Sequence, residues 1–180
     1  KKVFMRIVVS ILLLSSLLFS LSQRQKNIET LGDVLELSLP ALGLVSSCFY
    51  EEGDEGLKEW AYGNGTTALI TQVLKLGINK ERPDGSDNRS FPSGHTSAAF
   101  AGATFLERRY GYKVGIPAYV AASFVGYSRI QADKHYLEDV LSGALIGIGI
   151  GYLFTTRYHS VAITPEIAYG YHGIKMSYNY

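Results

Sequence analysis

Residues 92–111 read PSGHTSAAFAGATFLERRYG, and this stretch predicts a central helix of the fold. Ser93 is a typical N-cap residue, and the small and apolar residues after it favour a helix. The two arginines and the glycine in the closing RRYG are typical of a helix end. The sequence therefore predicts a helix over Ser93–Tyr110.

Further helices are predicted on both sides of this one, from apolar runs between polar breaks. They cover Asp33–Tyr50, Trp60–Leu76, Val114–Ser128 and His135–Thr155. Residues 159–180 alternate apolar with small or polar residues around a central His-Gly, which is typical of a strand, a turn and a strand. The predicted fold is all-α, a compact helical bundle of about five to six helices with a small C-terminal β-hairpin.

Composition excludes two kinds of partner. With 17 basic and 16 acidic residues the net charge is +1, so the chain lacks the concentrated positive charge of a nucleic-acid-binding protein. Its single cysteine can form neither an intrachain disulfide nor a zinc site of several thiolates. We therefore expect no nucleic acid and no thiolate-bound metal.

The N-terminus resembles an export signal. Three basic residues precede the apolar run Ile7–Leu21, and the small residue Ser22 follows it. An uncleaved anchor helix is the alternative, although the run is shorter than the roughly 20 residues of a membrane span. The expected division is 1–22 signal peptide or N-terminal anchor helix, 23–158 helical domain and 159–180 hairpin tail.

Membrane insertion of the other helices stays open at this point. Their uncharged stretches, about 14 to 17 residues, are short for a span, and the second helix is polar at Asn64, Thr67 and Gln72, which favours a soluble or surface-associated bundle. Val140–Phe154, in contrast, is almost wholly apolar. If the helices do span, residues 78–92 and 129–134 lie on the same side of the membrane.

Two cations flank the end of the second helix. Six residues separate Lys75 from Arg82, which Pro83 follows. Arginine offers a planar fork that matches phosphate oxygens, and lysine offers a compact point charge. Because basic residues at a helix end are also commonly just solvated, this pair indicates an anion site only together with other residues.

The start of the central helix suits an anion as well. Unpaired backbone N–H groups and the positive end of the helix dipole follow Ser93. Gly94 allows the backbone to approach a ligand closely. An imidazolium at His95 can donate a proton to a leaving oxygen. The same residues also fit an ordinary helix start.

A third motif holds a histidine and a carboxylate. Five residues separate Arg129 from His135, and Asp139 follows four positions later. On a helix, residues four apart share a face. A carboxylate bonded to one ring nitrogen fixes the tautomer and leaves the other nitrogen free to attack. Arg129 supplies a counter-charge for the attacked group.

Together the motifs contain three permanent cations, two histidines, one carboxylate and a helix N-terminus. Positioning, charge neutralisation, a nucleophile and an acid are what phosphoryl transfer requires. Three cations in one place oppose a bound metal ion. We therefore expect a phosphate site with no metal and no cofactor.

In residue type, order and spacing, Lys75–Pro83, Pro92–His95 and Ser128–Asp139 resemble the three signature motifs of the type 2 phosphatidic acid phosphatase superfamily. That superfamily includes bacterial class A acid phosphatases and vanadium haloperoxidases. The resemblance implies a helical bundle and a metal-independent phosphatase. It implies nothing for the C-terminal hairpin.

The resemblance also implies roles for single residues. His135 would be the nucleophile that forms a phosphohistidine, Asp139 would orient it, and His95 would protonate the leaving group. The residues implied to hold the phosphoryl oxygens are Lys75, Arg82, Ser93, Gly94 and Arg129.

The motifs and the N-terminus together predict a bacterial cell-envelope phosphatase, periplasmic or membrane-associated, whose site faces the periplasm. The resemblance implies a lipid phosphate as the substrate, of the phosphatidate, phosphatidylglycerophosphate, polyprenyl diphosphate or lipid A class. The alternatives are a soluble periplasmic acid phosphatase acting on small phosphate esters, a vanadate-dependent haloperoxidase, and a non-catalytic envelope protein.

Overall fold

The computed structural model describes the backbone of residues 2–158, 160–168 and 171–179 and the side chains of residues 23–158. Its helices are α1 (Lys2–Phe49), α2 (Glu55–Gly77), α3 (Gly94–Tyr110), α4 (Tyr112–Gln131) and α5 (Leu137–Phe154). The predicted all-α bundle is confirmed. Two segments, β1 (Ser160–Ala168) and β2 (Tyr171–Asn179), follow as an antiparallel pair. That a C-terminal hairpin belongs to the fold stays a prediction. The division of the chain at residue 22 also stays a prediction.

α3 is the central helix and packs against the other four. Small and apolar residues cover it on every side, which is typical of a helix buried all round. The core lies where α3 meets α1 and α4, and its buried members are Leu39, Ala99, Ala103, Leu106, Ala118, Ala122 and Val125. Because most of these side chains are small, the helix axes lie close together.

Two glycines let α5 approach α3 closely. A Cβ atom on Gly143 would lie 2.5 Å from the carbonyl oxygen of Ser93, and one on Gly147 would lie 2.5 Å from that of Ser97. The regularly spaced glycines of α5 therefore permit its close packing against α3. The N–H of Ser93 also donates to the carbonyl of Asp139 at 2.9 Å. This contact joins the second and third motifs.

The helix starts near the motifs agree with the sequence in one case and differ in the other. Ser93 caps α3 as predicted, since its side chain accepts from the N–H of Thr96. α5, however, begins at Leu137, because Asp139 accepts from the backbone N–H of Tyr136 at 3.0 Å in a capping box. His135 therefore precedes the helix. The prediction that His135 and Asp139 share a helical face is wrong.

Within the described residues, two segments are long and apolar enough to cross a membrane, Gln23–Phe49 and Leu137–Phe154. Each carries large apolar side chains on its outer face; Leu37 is 70% exposed and Leu145 is 71% exposed. Apolar surface of this kind is typical of contact with lipid or a partner. These segments favour the membrane-associated alternative over the soluble one.

Candidate active site

Residues of all three motifs meet at one end of the bundle, around a cavity of about 370 Å³. α1, the loop after α2, α3, α4 and the loop before α5 contribute to it. The lining residues are Glu29, Asp33, Arg82, Ser86, Asp87, His95, Arg129, Lys134 and His135. Segments far apart in sequence thus bring two histidines and two arginines to one place.

His135 is buried at the wall of this cavity. Its Nε2 lies 3.4 Å from the Nη1 of Arg82. Burial, together with the positive charges of Lys75 and Arg82, lowers the pKa of His135 to about 4. The ring is therefore uncharged at neutral pH. Since Nε2 faces the Arg82 donor, it is the unprotonated ring nitrogen, whose electron pair can attack.

Asp139 lies behind His135 and is fully buried. Its Oδ2 is 3.8 Å from the Nδ1 of His135, which exceeds a hydrogen bond. Oδ2 accepts instead from the hydroxyl of Ser90 and the N–H of Tyr136, and Oδ1 accepts from Lys80 at 2.6 Å. The expected direct hydrogen bond between Asp139 and His135 is therefore replaced by three other bonds.

The arginines of the site have anionic partners whose side chains are partly exposed. Arg82 donates to Asp87 at 2.7 Å, and the Nη1 of Arg129 lies 2.8 Å from Asp33. The side chains of Asp33 and Asp87 are 49% and 45% exposed. Half-exposed carboxylates can swing into solvent when another anion arrives. The guanidinium groups are then available to it.

Lys75 and Gly94 line a second, mostly apolar groove of about 450 Å³ that adjoins the cavity at His95. Lys75 donates to the carbonyl of Arg89 at 2.8 Å. A Cβ atom on Gly94 would lie 3.5 Å from the Cε of Lys75, so the glycine leaves the space beside this cation open. Ser93 is buried behind the helix start and lines neither space.

His95 contacts two carboxylates that the motifs do not include. Its Nε2 lies 3.1 Å from Glu36 and 3.4 Å from Asp33. Burial and the charge of Arg129 lower the pKa of His95 to about 4. Sequence analysis missed both acids. Their signal was a pair of carboxylates three positions apart in an otherwise apolar helix, where unpaired charge is costly.

The same cluster has the spacing of a metal site. The ligand atoms of Asp33, Glu36 and His95 lie within 4.8 Å of one another. Arg129 already lies against Asp33. A second cation at this point would meet that charge, so the donor set suits a proton or a guanidinium better than a metal ion.

Comparisons with known proteins agree with this site. Residues 57–161, which include all three motifs, match the family described as the PAP2 superfamily. The chain is 33% identical over 159 residues to the lipid A 4'-phosphatase of Helicobacter pylori, covering 81% of this chain and 79% of that protein. It is 44% identical over 96 residues to a lipid A 1-phosphatase of Porphyromonas gingivalis, covering 52% of this chain and 22% of that protein.

A solved structure is similar as well. The transmembrane PAP2-type phosphatidylglycerolphosphate phosphatase of Bacillus subtilis superposes with a TM-score of 0.59 and 30% identity over 73% of each chain. The resemblance carried by the three motifs is confirmed, and this chain belongs to the PAP2 superfamily.

Proposed function

We propose that this chain hydrolyses the phosphate ester or diphosphate of a membrane lipid, with His135 as the nucleophile. The position of His135 carries the proposal: its Nε2 lies 3.4 Å from Arg82, in a cavity that Arg129 and His95 also line. An uncharged imidazole opposite two guanidinium groups is placed to attack a tetrahedral anion that those groups hold.

In the first step, Nε2 of His135 bonds to phosphorus while the bond from phosphorus to the lipid oxygen breaks. His95 gives its proton to that oxygen, so the alcohol leaves uncharged. A phosphate dianion in the cavity stabilises the imidazolium of His95 and so favours the protonated form that this step requires. Arg82 and Arg129 neutralise the non-bridging oxygens.

In the second step, water attacks the phosphorus of the phosphohistidine and gives its proton to His95. The bond from phosphorus to Nε2 breaks, which releases inorganic phosphate and restores His135. The remaining groups act around this centre. Lys75 and the free N–H groups beside Gly94 add positive charge at one edge, Ser93 holds the helix start, and Asp139 stabilises positive charge on the His135 ring.

The relatives support a lipid as the substrate. Two of the similar proteins are lipid A phosphatases, and the similar structure is a transmembrane phosphatidylglycerolphosphate phosphatase. In this chain, a mostly apolar groove adjoins the phosphate cavity at His95, where it suits the apolar part of a lipid. The two segments of membrane-spanning length support a substrate that resides in a membrane.

The proposal also covers the cellular location of the protein and the division of its chain. We place the protein in the bacterial cell envelope with its site toward the periplasm, because the N-terminus resembles an export signal. Residues 1–22 act as signal or anchor, 23–158 as the phosphatase domain and 159–180 as a hairpin tail.

A substrate panel tests the function. Detergent-solubilised protein is supplied with long-chain phosphatidate, phosphatidylglycerophosphate, a polyprenyl diphosphate, lipid A and p-nitrophenyl phosphate, and released phosphate is measured. We expect turnover of at least one lipid to exceed that of the aryl phosphate. Equal or faster turnover of the aryl phosphate would favour a broad-specificity acid phosphatase. No phosphate release from any substrate would overturn the proposal.

A further inference from the structure

Lys80 is a partly exposed cation to which none of the three motifs assigns a role. It lies in the loop between α2 and α3, where its backbone pairs with Arg89 in a short bridge. Its N–H donates to the carbonyl of Asn88 at 3.1 Å, and its carbonyl accepts from Ser90 at 2.9 Å. These bonds fix the backbone from which the side chain projects toward α5.

The Lys80 ammonium contacts the start of α5. It donates to Asp139 at 2.6 Å and to Glu138 at 2.8 Å. It also lies 4.6 Å from the ring centre of Tyr136, a cation–π distance. Although burial opposes the charged form, the bonds to Asp139 and Glu138 raise the pKa of Lys80. A permanent positive charge therefore lies directly against the carboxylate behind the nucleophile.

This contact changes what Asp139 can do for His135. A carboxylate that is free to bond an imidazole raises the basicity of the ring. Here Oδ1 is taken by Lys80, and Oδ2 is held by Ser90 and Tyr136 at 3.8 Å from the Nδ1 of His135. The carboxylate is thus held in one orientation and much of its charge is neutralised.

We propose that Lys80 is a positioning residue for the nucleophile: acting through Asp139, it keeps His135 uncharged and ready to attack in mildly acidic as well as neutral solution. This inference rests on the proposed role of His135. Without Lys80, Asp139 would attract a proton to His135, and the ring would lose its nucleophilic pair at higher pH.

The sign follows from the charges around His135. The ionisable groups that face it, or share its cavity, are Glu29, Asp33, Lys75, Lys80, Arg82, Asp87, His95, Arg129, Lys134 and Asp139. Losing Lys80 leaves the negative charge of Asp139 uncompensated, and that charge stabilises the imidazolium, so the pKa of His135 rises. kcat/KM falls at acidic pH because the nucleophile becomes protonated, and the midpoint of this acidic limb then moves to higher pH.

The test compares pH profiles of kcat/KM for the full chain in detergent, with the best lipid substrate of the panel. Lys80→Met removes the charge, and Lys80→Gln removes the charge but keeps a donor. In both, we expect the midpoint of the acidic limb to rise by about one pH unit. Lys80→Arg should return the midpoint to the wild-type value. Either neutral variant suffices if the other does not fold.

Glu138→Gln is the matched control. It neutralises Glu138, the second partner of Lys80, and leaves the bond from Lys80 to Asp139 in place. The Glu138 side chain is 64% exposed. Its acidic limb should stay where it is or move slightly lower, opposite in sign to the lysine variants.

A double variant tests whether the effect passes through Asp139. On an Asp139→Asn background, Lys80→Gln should no longer move the limb, because the charge it modulates is gone. An unmoved limb in both neutral variants, whatever the fall in rate, would overturn the proposal, as would a shift that persists on the Asp139→Asn background. Full activity of His135→Ala would instead reject the proposed function itself.

Discussion

Two clusters of charged side chains lie at opposite ends of α3, about 20 Å apart along the helix. At the last turn, Arg109 donates to both oxygens of Glu51 and to Glu59. At the first turn, His95 faces Arg129 and Arg82 across the cavity. Each cluster contains a buried arginine, Arg109 or Arg129, and carboxylates. They differ in whether the carboxylates can leave.

At the Arg109 end, the ion pair between Arg109 and Glu51 is enclosed. The side chains of Arg109 and Glu51 are 4% and 1% exposed, and Tyr110 also donates to Glu51 at 2.6 Å. At the cavity end, Asp33 and Asp87 are half exposed. A buried arginine with enclosed partners is therefore a structural contact, while one whose partners face solvent can exchange them for a ligand.

The largest expected effect separates chemistry from stability. His135→Ala removes the attacking nitrogen, so phosphate release should fall by at least about 10³-fold. The melting temperature should change little, because the lost ring borders a cavity. Phosphate assays and thermal unfolding on the same preparation measure both. A variant that unfolds, or that keeps more than a tenth of the activity, would contradict the division between the two ends.

Arg109→Met should show the reverse pattern. It leaves Glu51 buried without its counter-charge, so the free energy of unfolding should fall by about 3–5 kcal/mol. The kcat of the molecules that remain folded should stay within about twofold of the wild type, since the sites are distant. Lys58→Met is the control, because its ion pair with Asp54 is exposed and should contribute less than about 1 kcal/mol.

A smaller effect is expected for Asp139→Asn. The amide keeps the shape of the side chain but loses the charge behind His135, so kcat should fall by about 10–100-fold. Steady-state kinetics beside His135→Ala measure the difference. Equal residual rates in the two variants would show that Asp139 does more than stabilise and orient the ring.

The smallest expected effect on kcat is that of a chelator. Since the site consists of protein cations and histidines, incubation with a chelator should leave kcat unchanged, while vanadate should inhibit by occupying the same cradle. Lost activity in chelator that added metal restores would reject a metal-free site.

The sequence predicts features that depend only on local backbone conformation. Ser93 as an N-cap depends on local conformation, and it was predicted. Contacts between distant segments were not. The carboxylates of α1, the bond from Lys80 to Asp139 and the burial of Arg109 depend on which helices become neighbours, and spacing along the chain does not contain that information.

His135 illustrates an intermediate case. Its distance from Asp139 in sequence suggested one helical face, but the carboxylate caps its own helix and the histidine stands before it. The motif predicted that the two side chains lie near each other, and they do, at 3.8 Å, but their mutual geometry differs from the prediction. Competition between a cap and a side-chain pair is decided by tertiary packing.

The glycine contacts between α5 and α3 bear on the setting in which this enzyme would work. With carbonyl oxygens of α3 only 2.5 Å from where a Cβ atom of Gly143 or Gly147 would stand, neither helix can slide along the other. Should α5 cross a bilayer, a change in bilayer thickness would tilt α3 and α5 together rather than shift one along the other. The spacing between the start of α3 and the start of α5 would stay constant across membranes of different lipid composition.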